Sequence, residues 1–202
     1  RKTILQDLSW EVQKGEHWAV LGLNGAGKTT LLNMVNGYIW PTTGDVTVLG
    51  NEFGKTDIRQ LRQSIGWVSS SLGERINGRH TTEDIVGSGK FASVGLVFAD
   101  PEEVDFERAR ELMELLSVDY TYGQAYEKCS QGEKQKLLIA RGMMANPDLL
   151  ILDEPTTGLD FIAREDLLQT IEQIAKAPVA PTIIFVTHHI EEVLPIFSHM
   201  LF

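Results

Sequence analysis

Cysteine is nearly absent: Cys129 is the only one in 202 residues. A single thiol excludes an internal disulfide framework and fits a reducing compartment. Basic residues are also scarce. Eighteen Lys and Arg against 28 Asp and Glu leave a net charge of −10. A general nucleic-acid binder needs a basic stripe to neutralise phosphates, so this balance argues against that class. No apolar run approaches the ~20 residues of a membrane-spanning helix, and no cleavable leader opens the chain. Any membrane crossing would come from a partner subunit. Internal repeats, low-complexity tracts and a linker to a second independent domain are missing as well. What remains is a chain with 43% hydrophobic residues, enough for the core of one α/β domain with a small subdomain.

Against these absences, glycine is concentrated in one telling place. Residues 22 to 29 read GLNGAGKT, the phosphate-loop pattern G-x-x-x-x-G-K-[ST]. The apolar HWAVLG before it suits a buried strand, and TTLLNMVNG after it has helical spacing. Gly22, Gly25 and Gly27 let the backbone curl so that successive N–H groups face phosphate oxygens. The following helix adds the positive end of its dipole. Lys28 is placed for the β- and γ-phosphates and the Thr29 hydroxyl for Mg²⁺. Asn24, Ala26 and Thr30 complete the nucleotide-binding stretch.

A second constellation ends the run LLILDE at 149 to 154. Four consecutive apolar residues suit a central parallel strand covered on both faces. Two acids at its end are costly to desolvate without a partner, and a magnesium nucleotide is such a partner. Asp153 would hold the metal, directly or through water, and Glu154 would orient or deprotonate the attacking water. The bland alternative is a strand-end turn whose acids cap the next helix.

Residues 129 to 135 read CSQGEKQ, and a helix follows through KLLIARGMMA. Ser130 and Glu133 have capping-box spacing, so an ordinary helix N-cap explains them locally. A helix start with glycine is also an anion site. The run IIFV at 183 to 186 is another buried strand and brings His188 to its end. His17, His80 and His199 show no pattern that would make a metal site.

Taken together these segments resemble an ABC-type ATP-binding cassette over nearly the whole chain. GLNGAGKTT resembles the family's phosphate loop (Walker A), CSQGEKQK its signature, LLILDEPTTGLD its second carboxylate motif with the D-loop, and FVTHHIEEV its His switch. The order and spacing are those of the family, and a serine run after IGWV resembles a molybdenum-transport-like branch of it. The resemblance implies a P-loop NTPase α/β core with a mostly parallel sheet, a small antiparallel β region and an inserted helical subdomain. It implies ATP and Mg²⁺ as cofactors and two cassettes paired head to tail, most simply as a homodimer. Ser130, Gln131 and Gly132 would then reach the γ-phosphate held by the other copy, with Asp160 of the D-loop across the same interface. His188 would reach the γ-phosphate of its own copy; His189, where the family often has an acid, reads as surface. The implied enzyme is an ATPase energising a transporter through a transmembrane subunit, cytoplasmic or peripheral on the inner face of the cell membrane. Two rivals stay open: a soluble ATPase acting on a translation or repair machine, and a nucleotide-gated binding module without turnover. Glu154 argues against the last, because a degenerate site commonly loses that carboxylate.

Three departures from the family pattern matter. Ser70 stands where a Gln normally touches Mg²⁺ and relays nucleotide state to a membrane partner; a hydroxyl is shorter and lacks the amide, which puts coupling in doubt. Cys129 replaces the usual Leu, as a small hydrophobe. No adenine-stacking aromatic is identifiable, since both ends look trimmed, and Trp10 and Trp18 read as core or sheet-face residues.

The expected organisation is a nucleotide-binding core at 1–70 and 140–202 around a helical subdomain at 71–139. Residues 1 to 21 read as short strand-like runs turning at Lys14-Gly15, and GDVTVLG at 44 to 50 as an exposed-face strand. Asp100, Pro101 and Glu103 read as N-cap, first-turn proline and N3 acid of a helix through FERARELMELLSV. GSGKFASVGLVF, 87 to 98, reads as a loop or a partner-docking surface.

Overall fold

The computed structural model describes residues 3–91 and 102–202, and of Ser70 and Glu74 the backbone alone. Strand β1 (Trp18–Leu21) leads through the glycine loop into helix α1 (Lys28–Val35). Strands β2 (Thr47–Val48) and β3 (Asn51–Glu52) form a small antiparallel hairpin. Helix α2 (Ile58–Gln63) precedes β4 (Ile65–Ser69), which runs directly into α3 (Ser70–Glu74). Helices α4 (Thr82–Gly87), α5 (Glu103–Leu115) and α6 (Gln131–Met143) follow. Strand β5 (Leu149–Asp153), helix α7 (Phe161–Ala175), and strands β6 (Thr182–Thr187) and β7 (His199–Leu201) complete the order.

Five strands form one sheet in the order β4-β5-β6-β1-β7, every pair parallel. The continuous apolar runs are explained by cover on both faces. Along β5, Leu150 and Leu152 join the core under α6 and α7, while Leu149 and Ile151 join the opposite core with Leu32 of α1. β6 divides the same way, Ile183 and Phe185 to one side, Ile184 and Val186 to the other. The larger core also takes Ile85 and Val86 of α4 and Ala109, Leu112 and Met113 of α5. The helical stretch and the sheet therefore share one apolar cluster. Phe185 is fully buried and stacks on Phe197 at 5.2 Å; burying such a ring contributes about 1.5–3 kcal/mol. Because all strands are parallel, the loops after β1, β4, β5 and β6 emerge at one edge, where ligands bind in such sheets.

The runs at 149 to 152 and 183 to 186, IGWV, and Trp18–Leu21 of HWAVLG lie on strands of this sheet. Three expectations need correction. Residues 3–17 hold no strand. Both sides of β1 are taken, by β6 and β7, so no ladder is left for them; Ile4 and Leu8 stay exposed. The turn at Lys14-Gly15 is instead anchored by the Gly15 N–H donating to Thr182 Oγ1 at 3.0 Å. Within 44 to 50 only Thr47 and Val48 are strand, because Leu49 (φ 50°) and Gly50 (φ 76°) make the hairpin turn at once. Helix α5 starts at Glu103 with Glu102 as N-cap, not Asp100. Asp105 is the N3 residue; it accepts from the Glu102 N–H at 3.0 Å and holds Lys90 at 2.6 Å. Asp100 and Pro101 lie outside the described residues, as does 92–98 of the GSGKFASVGLVF stretch, whose Ser88–Phe91 forms a 3₁₀ turn.

Candidate active site

At the C-terminal edge of the sheet the glycine loop closes into α1 through left-handed turns at Gly25 (φ 85°) and Gly27 (φ 100°). A Cβ on Gly27 would lie 2.7 Å from Leu5 Cδ2, so both backbone and packing require glycine there. Helix α1 has neither a side-chain cap nor an acid in its first turn. Its positive dipole end and leading amides are therefore left to an anion. Lys28 is nearly buried, at 9% exposure, and donates to Gly22 O at 2.6 Å and Leu23 O at 3.4 Å.

Two strands away, β5 delivers Asp153 and then Glu154. Glu154 has a left-handed backbone (φ 50°), uncommon for a residue with a Cβ and concentrated at functional sites. Its N–H is tied to Val186 O at 2.9 Å. The turn brings Glu154 Oε1 to 3.5 Å from Lys28 Nζ and 3.3 Å from Nδ1 of His188, which follows β6. Residues 28, 154 and 188 thus converge from three parallel strands. Beneath them, the buried Thr187 hydroxyl donates to buried Glu192 at 2.6 Å and accepts from the His189 N–H at 3.1 Å, which fixes the loop carrying His188. His189 is on the surface, beside Glu191.

A cavity of about 610 Å³ opens here, lined by Asn24, Gly25, Gly27, Lys28, Thr29, Thr30, Asp153 and Glu154. Gly22 and Ala26 are not among the lining residues; Gly22 takes part through its carbonyl on Lys28. Sequence reading missed Thr3, Ile4, Ser69 and Ser71 on the same wall. Ser69 ends β4 in register with Asp153 and its Oγ is 3.1 Å from Ser71 Oγ. The serine run was a visible signal for these two, although it pointed to Ser70, whose side chain lies outside the described residues. Trp10 and Trp18 pack edge to face at 5.6 Å, Trp18 stacks on His199 at 4.8 Å, and neither lines the cavity. A comparable groove of about 670 Å³ beside Lys90, Asp105 and Arg108 contains none of the glycine loop.

Burial first, and then the Glu154 charge, push the Asp153 carboxyl up to about 6, against a pull downward from Lys28. A carboxylate held at that cost in the same cavity wall as Thr29 suits a hard divalent cation, which prefers oxygen donors. Among the described residues no cluster of three His, Cys, Asp or Glu could hold a metal by itself. Thr29 and Asp153 fit an ion whose shell is completed by phosphate oxygens and water.

The CSQGEKQ stretch lies apart. Ser130 caps α6, its Oγ accepting from the Glu133 N–H at 3.3 Å, while its own N–H donates to Glu133 Oε2 at 2.6 Å. Ser130 and Gln131 are exposed. A Cβ on Gly132 would be 3.2 Å from Ala163 Cβ, and Asp160 caps α7 by accepting from the Ala163 N–H at 2.9 Å. The starts of α6 and α7 thus meet each other, with Phe161 and Ile162 exposed beside them. None of Ser130, Gln131, Gly132 and Asp160 lines the cavity around Lys28. Cys129 is buried, and burial raises its thiol above the ordinary range.

Comparison with known proteins bears on this geometry. The family model described as ABC transporter matches residues 5–157. An uncharacterised ABC transporter ATP-binding protein of Bacillus subtilis, YlmA, is 51% identical over 99% of this chain and 76% of its own length. The ABC transporter ATP-binding protein ModF of Escherichia coli is 34% identical over 99% of this chain and 41% of its own. Among solved structures, a dimeric ATP-binding cassette in a post-hydrolysis state with ADP and phosphate superposes with a TM-score of 0.78. It is 25% identical, over 94% of this chain and 82% of that one.

Proposed function

The chain belongs to the ABC transporter family and is an ATPase of that kind; on that footing we propose that it hydrolyses Mg²⁺–ATP as a head-to-tail pair of identical cassettes energising a membrane transporter. The observation that carries this reading is a separation. Lys28 and Glu154 line one cavity and His188 reaches it only through Glu154, while the exposed signature of the same copy makes no contact with that cluster and lies outside the cavity. A second copy supplies what is missing, in keeping with the dimeric relative found with ADP and phosphate.

In this reading the loop amides and Lys28 hold the triphosphate. Lys28 then exchanges the Gly22 carbonyl and the Glu154 carboxylate for phosphate oxygens, a charge-assisted replacement for one neutral and one ionic partner. Thr29 and Asp153 would hold Mg²⁺, which when bound spreads the charge of the phosphates. Glu154, released from Lys28, accepts a proton from the attacking water. His188 steadies Glu154 and faces the γ-phosphate. Ser130, Gln131 and Gly132 of the partner copy donate to that phosphate, with the partner's α6 dipole behind them. Such reactions need positioning and charge stabilisation more than covalent help. Residues 71–139 act as the helical subdomain and 1–70 with 140–202 as the nucleotide-binding core. A transmembrane subunit supplies the membrane crossing, since no helix among the described residues is long and apolar enough for one. That assignment makes the protein cytoplasmic, or peripheral on the inner face of the membrane.

The test is specific activity against protein concentration. A site completed by a second copy gives a rate rising faster than linearly until pairing saturates. Strict proportionality from nanomolar upward contradicts the proposal.

A further inference from the structure

We infer that Tyr120 is a positioning residue for the signature, holding Ser130 ready for the nucleotide of the partner copy through Glu133. The inference rests on the head-to-tail reading above. Glu133 stands at N3 of α6 and has both carboxylate oxygens engaged. Oε2 accepts from the Ser130 N–H at 2.6 Å, and Oε1 accepts from the Tyr120 phenol at 2.7 Å. The phenol thereby fixes the carboxylate from the side opposite the cap.

Two consequences follow for Ser130. Its Oγ accepts from the Glu133 N–H and its hydroxyl lies against the Glu133 carboxylate, so where the carboxylate is fixed decides where the hydroxyl stands when an anion comes to take its proton. The negative charge of Glu133, close to a site meant for phosphate, is held on the cap by two donors instead of swinging toward the ligand. Burial works against that charge, but the Tyr120 and Ser130 hydrogen bonds outweigh it and keep the carboxyl below its ordinary range.

Tyr120 is well built for this task despite being 63% exposed. Its backbone sits in a 3₁₀ turn, Asp119–Thr121, pinned on both sides. The buried Thr82 hydroxyl donates to Thr121 O at 2.8 Å, the Thr121 hydroxyl donates to Val118 O at 2.7 Å, and Gln124 Nε2 donates to Tyr120 O at 3.1 Å. A ring with few rotatable bonds on a fixed backbone loses little freedom on ordering its hydroxyl. An exposed tyrosine that merely covered surface would need no such anchorage.

The test uses the full chain carrying Glu154→Gln, and measures by sedimentation the dissociation constant of the pair formed with Mg²⁺–ATP. ATP affinity of the isolated copy and the urea midpoint are measured alongside. Adding Tyr120→Phe removes only the hydroxyl. It is expected to weaken pairing about tenfold, because the Glu133 carboxylate is then less firmly held away from the partner's phosphate, with single-copy ATP affinity unchanged and the urea midpoint lowered only by the small amount that one exposed hydrogen bond contributes. Glu133→Gln, which keeps one oxygen for two donors, is expected to fall between. Equal pairing with and without the Tyr120 hydroxyl overturns the role of Tyr120 while leaving the head-to-tail reading intact. Parallel losses in pairing, ATP affinity and urea midpoint reduce Tyr120 to a stabilising residue and overturn the inference too. If the Glu154→Gln chain fails to pair with ATP at all, the head-to-tail reading falls and takes this inference with it.

Discussion

Replacing Asp153 with Asn should stabilise the nucleotide-free protein while ruining hydrolysis. Asp153 ends β5 with most of its carboxyl buried and Glu154 beside it, which raises its ionisation from 3.8 to about 6. A carboxyl raised in the folded state binds its proton more tightly there than in the unfolded chain. The folded state is therefore penalised once the pH exceeds the unfolded value. The penalty is absent below about pH 4, grows between about 4 and 6, and is complete above that. At about 1.4 kcal/mol per pH unit the ceiling is about 3 kcal/mol, and partial solvent access reduces it to about 1–2 kcal/mol. Urea unfolding without nucleotide should find Asp153→Asn more stable by that amount at pH 7.5, with the gain disappearing near pH 4. Mg²⁺–ATP should then stabilise the unmodified protein more than the variant, because the metal offsets the charge that the variant no longer has. A gain independent of pH, or a loss at pH 7.5, would refute the reasoning that Asp153 is held ionised at a cost for a cation.

Other outcomes follow from the same geometry. Lys28→Ala removes a nearly buried cation, the partner of Gly22 O and Glu154, and should weaken ATP binding at least about tenfold, measured by titration calorimetry. Glu154→Gln should bind ATP as before and lose about 10²–10⁴-fold in turnover, seen by phosphate release. Gly27→Ala puts a Cβ against Leu5 in a left-handed turn and should lower stability by about 1–3 kcal/mol in urea unfolding.

Residue patterns carry most of this fold because its central strands are buried on both faces. LLIL and IIFV stand out as uninterrupted apolar runs; the first leads straight into Asp153, and the second leads through Thr187 to His188. Glycine spacing marks the phosphate loop since only a few residue types tolerate the backbone required. What stays hidden is pairing between distant segments. Nothing local says that WEVQ lacks a ladder partner, because that depends on β6 and β7 flanking β1. Asp105 displaces the α5 start because Lys90, fifteen residues away, helps to fix it. Within the site, the chemistry of Lys28, Asp153 and Glu154 follows from motif and context, while the left-handed turn that swings Glu154 onto Lys28 does not. Tyr120 had no signal at all; its bond to Glu133 spans thirteen residues and exists only once the turn before α6 is folded.

The completed site is tested most directly by mixing two disabled proteins, Lys28→Ala and Ser130→Ala. Each alone has two defective sites per pair. A mixed pair contains one site with the intact loop of one copy and the intact signature of the other. The account predicts ATP hydrolysis in the mixture well above the sum of the two proteins alone. A mixture no more active than that sum, under conditions where mixed pairs form, would contradict it.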